Sequence, residues 1–302
     1  MMQKTNIKQK GHLDLDVERV TASGLAGKFI FPPFSILRGD GEGWLDRKRQ
    51  WVGLGIKSEL GRDVECQPGT FGGVLDEHGR DKYGRKPMTG TSVFDPVLCE
   101  LMYAWFCPEG GQVVDPFAGG SVRGVVAAIM GRRYWGCELR KEQVEANIEQ
   151  RNAIIPDCEM LQWVCGDAMH ELRDAPVADF IFSCPPYGNL ERYSELEGDL
   201  SNMEYSVFVE SYRRIVKRAV HKLKHGGYAC FVVANFRNRK TGYYHNLVGD
   251  TVRAFESCGA RFYNDVVYVT PTGTLMLRVS RTFNASKKIG KAHQNVLVFY
   301  KE

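Results

Sequence analysis

The tetrapeptide Cys184-Pro185-Pro186-Tyr187 follows an apolar run, "ADFIFS", and is the first stretch of the chain that could do chemistry. Proline has no backbone N–H to donate to a sheet, so a buried strand must end where the two prolines begin. The same prolines fix the backbone, so a carbonyl oxygen in the turn can point at an amine without a further ordering cost. This strand end therefore offers a fixed acceptor, a thiol and an aromatic ring.

Three other predicted strand ends carry residues that suit a nucleotide-type ligand. One ends at Asp115 and runs into a glycine loop, "DPFAGGS", whose glycines let the backbone approach a ligand closely. The next ends at Glu138, 23 positions after Asp115, where a carboxylate can accept from both hydroxyls of a ribose. The third ends at Asp167, which can accept from an adenine amine. Each residue also has an ordinary interpretation, as a helix cap, a surface charge or a turn residue, but four such ends in succession favour a binding site.

Strands alternate with helices from residue 91 onward, which indicates the elements that position these residues. The segments "QVVD", "RYWGCEL", "LQWVCGDA", "ADFIFSC" and "YACFVVANF" are typical of strands, and helical spacing occurs around them, as in "DPVLCELMYAWFC". The alternation predicts an α/β fold with a parallel, doubly wound sheet whose ligand lies at the carboxyl ends of the strands. The last two strands, "RFYNDVVYVT" and "QNVLVFYK", enclose a segment without helical pattern and are expected to pair as a hairpin at the sheet edge.

The composition limits the classes of protein to which the chain can belong. With 302 residues, 43% of them hydrophobic, the chain can bury one large core, or one core and a smaller appendage. No apolar run approaches the roughly 20 residues needed to cross a bilayer, and the N-terminus does not read as a signal peptide. The nine cysteines include no CxxC pair. These features predict a cytoplasmic protein with reduced thiols and without a metal site.

Taken together, "VVDPFAGGS", "ELRKEQVEAN", "CGDA" and "SCPPY" resemble the S-adenosylmethionine-dependent DNA amino-methyltransferases, especially the methylases carried in bacteriophage genomes. The resemblance covers about residues 90–302, and the Asp-Pro-Phe and Pro-Pro-Tyr motifs carry most of it. It implies a Rossmann-like class I methyltransferase fold, with a mostly parallel seven-stranded sheet and an antiparallel edge hairpin. It also implies S-adenosylmethionine as cofactor and DNA as substrate, with RNA as an alternative.

The resemblance assigns roles to individual residues. The methionine half of the cofactor would be held by Ser92, Phe94, Asp115, Phe117 and Gly119. Glu138 would bind the ribose and Asp167 the adenine. The catalytic residues would be Cys184, Pro185, Pro186 and Tyr187, with Tyr187 stacked on a target base that has been flipped out of the duplex.

Cys184 departs from the family pattern, which usually has Asp, Asn or Ser at this position. One interpretation is that Cys184 replaces a serine while the carbonyl of Pro185 binds the exocyclic amine of cytosine or adenine. A second is that Cys184 is a nucleophile in cytosine carbon-5 methylation, although the helper Glu-Asn-Val of those enzymes is missing. A third is that the protein has lost catalysis and is a nucleic-acid-binding relic of the fold.

Clusters of basic residues predict where DNA would be bound, although the net charge is only +4. Residues 1–25 are expected to be a flexible lead-in, 26–90 an irregular appendage that contacts DNA and contains one short helix, and 91–302 the catalytic domain. The predicted DNA-binding residues are Arg47, Lys48, Arg49, Arg237, Arg278, Arg281, Lys287 and Lys288.

Overall fold

The computed structural model describes residues 28–57, 94–188, 193–238, 240–273 and 275–302. These residues form a mixed eight-stranded sheet between two layers of helices. The strands are β1 (Ile36–Arg38), β2 (Gln112–Asp115), β3 (Arg133–Glu138), β4 (Leu161–Cys165), β5 (Ala178–Ser183), β6 (Leu223–Val233), β7 (Phe236–Arg237), β8 (Tyr244–His245), β9 (Ala260–Val269) and β10 (His293–Lys301). The helices are α1 (Glu42–Gly53), α2 (Pro96–Phe106), α3 (Val122–Ile129), α4 (Lys141–Ile154), α5 (Ala168–Glu171), α6 (Tyr205–Lys222), α7 (Leu247–Glu256) and α8 (Leu275–Ser286).

The order of strands in the main sheet is β1-β9-β10-β6-β5-β2-β3-β4, while β7 and β8 form a separate short hairpin. Strand β10 runs antiparallel to β6 and β9, and the other pairings in the main sheet are parallel. The chain order reverses beside β2, whose neighbours are β3 and β5. The carboxyl ends of these central strands therefore meet at the switch point, where α/β proteins bind ligands.

Burial on both faces explains the apolar runs of the central strands. Val113 and Phe180 contribute to the core beneath α2 and α3, whereas Val114 and Ile181 contribute to the core beneath α6 and α7. Alternate residues of a strand point to opposite faces, so a sheet covered on both sides shows continuous rather than alternating hydrophobicity. The predicted α/β fold is confirmed.

The N-terminal region contributes more to the fold than an irregular appendage would. Strand β1 adds an eighth strand by pairing in parallel with β9, Ile36 opposite Val267. Helix α1 buries Trp44 and Trp51 in the core below α2. Trp44 and Trp51 are seven residues apart and therefore lie on one face of α1, and this face packs against the core below α2. The expected lead-in, and residues 58–93, lie outside the described residues.

Two expectations for the C-terminal strands are corrected. The segment between β9 and β10 contains a helix, α8, although no helical pattern was expected there. Strands β9 and β10 do pair antiparallel, but β10 lies between β6 and β9, and β1 covers the outer edge of β9. None of the helices in the described part of the chain is long and apolar enough to cross a membrane.

Candidate active site

The carboxyl ends of β2, β3, β4 and β5 open into one cavity of about 1120 Å³. The structure brings nine of the predicted catalytic and cofactor-binding residues to its wall. They are Phe94, Phe117, Gly119, Glu138, Asp167, Cys184, Pro185, Pro186 and Tyr187. Two others are not on the wall: Asp115 is fully buried, and Ser92 lies outside the described residues.

Glu138 ends β3 and holds the glycine loop in place. Its Oε2 accepts the backbone N–H of Gly119 at 3.0 Å, and its Oε1 accepts that of Arg140 at 2.9 Å. A carboxylate has about four acceptor positions, so two stay available to a ligand with two hydroxyls. Burial raises the pKa of Glu138, although both backbone donors oppose the shift.

The glycine loop is fixed from both sides at Gly119. Its carbonyl accepts from Nδ2 of Asn147 on α4 at 2.8 Å, while its N–H donates to Glu138. The φ angle of Gly119 is 52°, a left-handed conformation that side chains with a Cβ rarely adopt. Asn147 was not predicted as a site residue, because an Asn within a charged helix gives no signal of a contact 28 residues away.

Asp115 does not itself face the cavity. Its Oδ2 accepts from Nε of Arg123 at 2.6 Å and from the hydroxyl of Tyr134 at 2.7 Å, and its Oδ1 accepts from the hydroxyl of Ser183 at 2.5 Å and the N–H of Phe117 at 3.1 Å. These contacts argue against the prediction that Asp115 touches the cofactor. Asp115 instead holds the surrounding strands and the glycine loop in position. Four donors saturate this buried carboxylate, and they tie together β2, β3, β5 and the glycine loop.

Arg123 is a site residue that sequence reasoning missed. Besides Asp115, its guanidinium binds the carbonyls of Phe117 at 2.6 Å and Ala118 at 2.9 Å, and it lies 4.5 Å from the centre of the Phe94 ring. The sequence did contain a sign of this role, because Arg123 is the single charged residue in the otherwise apolar helix "VRGVVAAI". Arg123 is buried and locks the loop between β2 and α3.

Asp167, whose ordinary interpretation was a turn residue, caps the start of α5 and also lies on the cavity wall. Its Oδ1 accepts the N–H of Met169 at 2.8 Å at the start of α5. A Cβ placed on Gly198 would come within 3.1 Å of Oδ2. The glycine thus leaves room at the outer oxygen of this carboxylate.

The Cys-Pro-Pro-Tyr turn forms the side of the cavity next to β5. The sulfur of Cys184 lies 3.8 Å from the hydroxyl of Tyr187, and Nε2 of Gln294 on β10 donates to that hydroxyl at 2.7 Å. Burial, with Cys184 nearby, raises the pKa of Tyr187 well above its ordinary value, so the phenol stays neutral. Gln294 was missed, because its partner is 107 residues away in the sequence.

Lys291 and His293 also reach the cavity wall from the start of β10, and neither was predicted. Their side-chain nitrogens lie 3.4 Å apart. Burial lowers the pKa of Lys291, and burial together with Lys291 lowers the pKa of His293.

Arg47 was predicted to bind DNA but is buried against α2. Its guanidinium forms an ion pair with Glu100, which also accepts from the indole N–H of Trp51 at 2.9 Å. The prediction is wrong in this structure, because a phosphate contact would require breaking a buried ion pair.

Lys48 and Arg49, the two neighbours of Arg47 that were also predicted to bind DNA, form ion pairs as well. Lys48 lines the cavity and binds Asp95 at 2.9 Å, and Asp95 also accepts from the hydroxyl of Tyr268 at 3.0 Å. Arg49 is exposed and paired with Asp46. The Lys48–Asp95 pair joins α1 to the start of α2 and, through Tyr268, to β9, whereas the Arg49–Asp46 pair lies within α1.

Three of the five remaining predicted basic residues lie on the cavity wall, and two do not. Arg237, Arg278 and Lys288 line the cavity. Arg281 and Lys287 are exposed on α8 and in the residues that follow it, off the cavity wall. Arg237 stacks on Tyr244 with its guanidinium carbon 4.0 Å from the ring centre.

No family model and no curated protein matches the chain. Among solved structures, TrmN from Thermus thermophilus is 16% identical, with a TM-score of 0.47 over 70% of this chain and 50% of that one. Magnesium protoporphyrin IX methyltransferase from Synechocystis, with bound S-adenosylmethionine, is 10% identical, with a TM-score of 0.44 over 68% of this chain and 79% of that one. A Thermus thermophilus protein provisionally described as a DNA modification methylase is 18% identical, with a TM-score of 0.35 over 45% and 52%.

These likenesses are distant, and the chain spans about half the length of TrmN. They assign no substrate. The strand order, with antiparallel β10 between β6 and β9, is that of the Rossmann-like class I methyltransferase fold.

Proposed function

We propose that the protein transfers a methyl group from S-adenosylmethionine to the exocyclic amine of a flipped base in DNA, at cytosine N4 or adenine N6. One observation carries the proposal: Glu138 and the Cys-Pro-Pro-Tyr turn face the same cavity. They end β3 and β5, the two neighbours of β2. Strands in a sheet lie about 4.8 Å apart, so the two groups are separated by roughly the width of a nucleoside.

The residues present fit an adenosyl cofactor. Glu138 has two unused acceptor positions for adjacent hydroxyls, and Asp167 has an oxygen beside the open wall at Gly198. Gly119 gives the loop a conformation that other residues would strain, and Glu138, Asn147 and Arg123 hold it. When bound, S-adenosylmethionine supplies an electrophilic methyl group on a positively charged sulfur.

The catalytic turn acts by orientation. The carbonyl of Pro185 accepts a hydrogen bond from the target amine, which directs the nitrogen lone pair toward the methyl group. Tyr187 stacks on the base, a contact worth about 1–3 kcal/mol. Holding two reacting atoms in line supplies about 7–11 kcal/mol of barrier reduction. Cys184 occupies the position of a serine, and the amine proton leaves to water after transfer.

Incubation with tritiated S-adenosylmethionine and unmethylated bacterial DNA tests the function. We expect labelled N4-methylcytosine or N6-methyladenine after digestion to nucleosides and mass spectrometry. Labelled 5-methylcytosine would move the chemistry to carbon 5, and incorporation into RNA alone would change the substrate. A protein that binds cofactor and DNA but transfers no label would be the non-catalytic relic.

A further inference from the structure

Two segments that contribute to the cavity wall contact each other. One is the β7–β8 hairpin (residues 236–238 and 240–245), and the other comprises α8 and the residues after it (275–291); together they are called the rim. Both contribute to the cavity wall, through Tyr244 and Leu275 among others. They meet where a Cβ on Gly242 would lie 2.7 Å from Nζ of Lys288.

The rim exposes apolar side chains to an unusual extent. Leu277, Tyr243, Ile289 and Met276 are 84%, 78%, 73% and 70% exposed, and they are the four most exposed large hydrophobic residues in the described part of the chain. Helix α8 has 12 residues and buries none of them, whereas a surface helix usually buries an apolar stripe. Exposed apolar side chains concentrated on two contacting segments are typical of an interaction surface.

The charge of the rim indicates a polyanionic partner. Residues 271–292 contain five basic residues and neither Asp nor Glu. They are Arg278, Arg281, Lys287, Lys288 and Lys291. The hairpin adds Arg237 and Lys240 and is likewise without acidic residues. Basic side chains bind phosphates, while apolar side chains that enter a base stack open the duplex locally.

We infer that the rim docks on duplex DNA and that Leu277 and Tyr243 enter the base stack beside the target base, which helps that base to leave the duplex. The inference rests on the proposed function, because it uses the cavity as the destination of the base. Arg281 and Lys287 bind the phosphates that flank the opened step. The rim is then needed for methyl transfer to duplex DNA, and much less for transfer to DNA that is already single-stranded.

Methyl transfer to native and heat-denatured DNA from the same unmethylated bacterial chromosome tests the inference. Leu277→Ala and Tyr243→Ala should each lower the ratio of native to denatured rates at least about fivefold, since an apolar wedge or an aromatic stack at the opened step is lost. Val207→Ala is the matched control, because Val207 is 55% exposed on α6 and lies off the cavity. An unchanged ratio in the doubly substituted protein would overturn the inference.

A binding measurement separates this inference from the proposed function. Fluorescence anisotropy compares a labelled 30-mer duplex with one of its single strands. Arg281→Ala combined with Lys287→Ala should weaken duplex binding and lower its salt slope by about two, whereas Arg214→Ala on α6 should change neither. If the wild-type protein methylates no DNA, the proposed function fails but this comparison still decides docking. Unchanged duplex affinity of the doubly substituted protein would reject the rim as a DNA surface. The same rejection would follow if the two substitutions abolished binding to anionic lipid vesicles but left duplex binding intact.

Discussion

The hydroxyl of Ser183 donates to Oδ1 of Asp115 at 2.5 Å, which links the residue before the Cys-Pro-Pro-Tyr turn to the residue before the glycine loop. The same oxygen accepts the N–H of Phe117 within that loop. The glycine loop and the Cys-Pro-Pro-Tyr turn therefore share one buried acceptor, and neither can shift without affecting the other.

Ser183→Ala should destabilise the protein by about 1.5–3 kcal/mol, because a hydrogen bond to a buried charged group is lost. Urea unfolding measures the change in the free energy of unfolding. Ser286→Ala is the control, since Ser286 is exposed at the end of α8. A loss in Ser183→Ala no larger than the control's would contradict a shared buried acceptor.

Glu138→Gln should weaken binding of S-adenosylhomocysteine by about 1.5–3 kcal/mol for each hydrogen bond lost, as isothermal titration calorimetry can measure. The ionised carboxylate accepts both hydroxyls, and burial raises its pKa. Affinity should thus fall as the pH is lowered through this raised pKa, starting at a higher pH than for an exposed glutamate.

The Glu138→Gln protein should show a flat pH profile of cofactor affinity in the same range. Glu142→Gln, an exposed residue in the first turn of α4, should keep the wild-type profile. Equal affinity of wild-type and Glu138→Gln proteins at neutral pH would remove Glu138 from the cofactor site.

Cys184→Ser should keep or raise the methylation rate, because a hydroxyl oxygen is a better acceptor than a thiol sulfur. A covalent nucleophile would behave in the opposite way, since an unactivated serine cannot replace a thiolate. Rates are measured with labelled cofactor. An inactive Cys184→Ser protein, with wild-type protein trapped on a 5-fluorocytosine duplex, would establish carbon-5 chemistry.

Tyr187→Ala should lower kcat/KM for DNA by the equivalent of about 1–3 kcal/mol, because the stack on the flipped base is lost. Tyr187→Phe keeps the ring and loses only the hydroxyl that Gln294 binds, so it should retain most of the rate. If both variants lose the same activity, the hydroxyl rather than the ring is the functional group.

Arg47→Ala and Arg278→Ala should separate stability from DNA binding. Breaking the buried Arg47–Glu100 pair leaves a buried carboxylate without its partner, which costs about 3–5 kcal/mol of stability. Arg278→Ala should leave stability unchanged and reduce the salt slope of DNA binding by about one. A stable Arg47→Ala protein with a reduced salt slope would restore Arg47 to the DNA surface.

The sequence alone determined the elements whose stability is local. Helix α2 follows from its apolar spacing, from Asp95 as N-cap and from Pro96 in the first turn. The buried strands follow from runs such as "FIF", and β5 ends where proline removes its donors. The strand ends that carry Glu138, Asp167 and Tyr187 could also be predicted, because glycine, proline or acidic residues follow each apolar run and mark where the strand ends.

Tertiary structure alone decided which of these side chains are free to bind. Asp115 and Arg47 were predicted to contact ligands, but both are buried by contacts within the protein. Ser183, 68 residues away, donates to Asp115, and Glu100, 53 residues away, pairs with Arg47. Helix α8 has apolar residues at helical spacing, Leu275, Val279 and Phe283, yet none of its residues is buried. Local propensity and periodicity carry no information about which distant carboxylate meets which guanidinium, because desolvation and pairing are set only when the sheet has assembled.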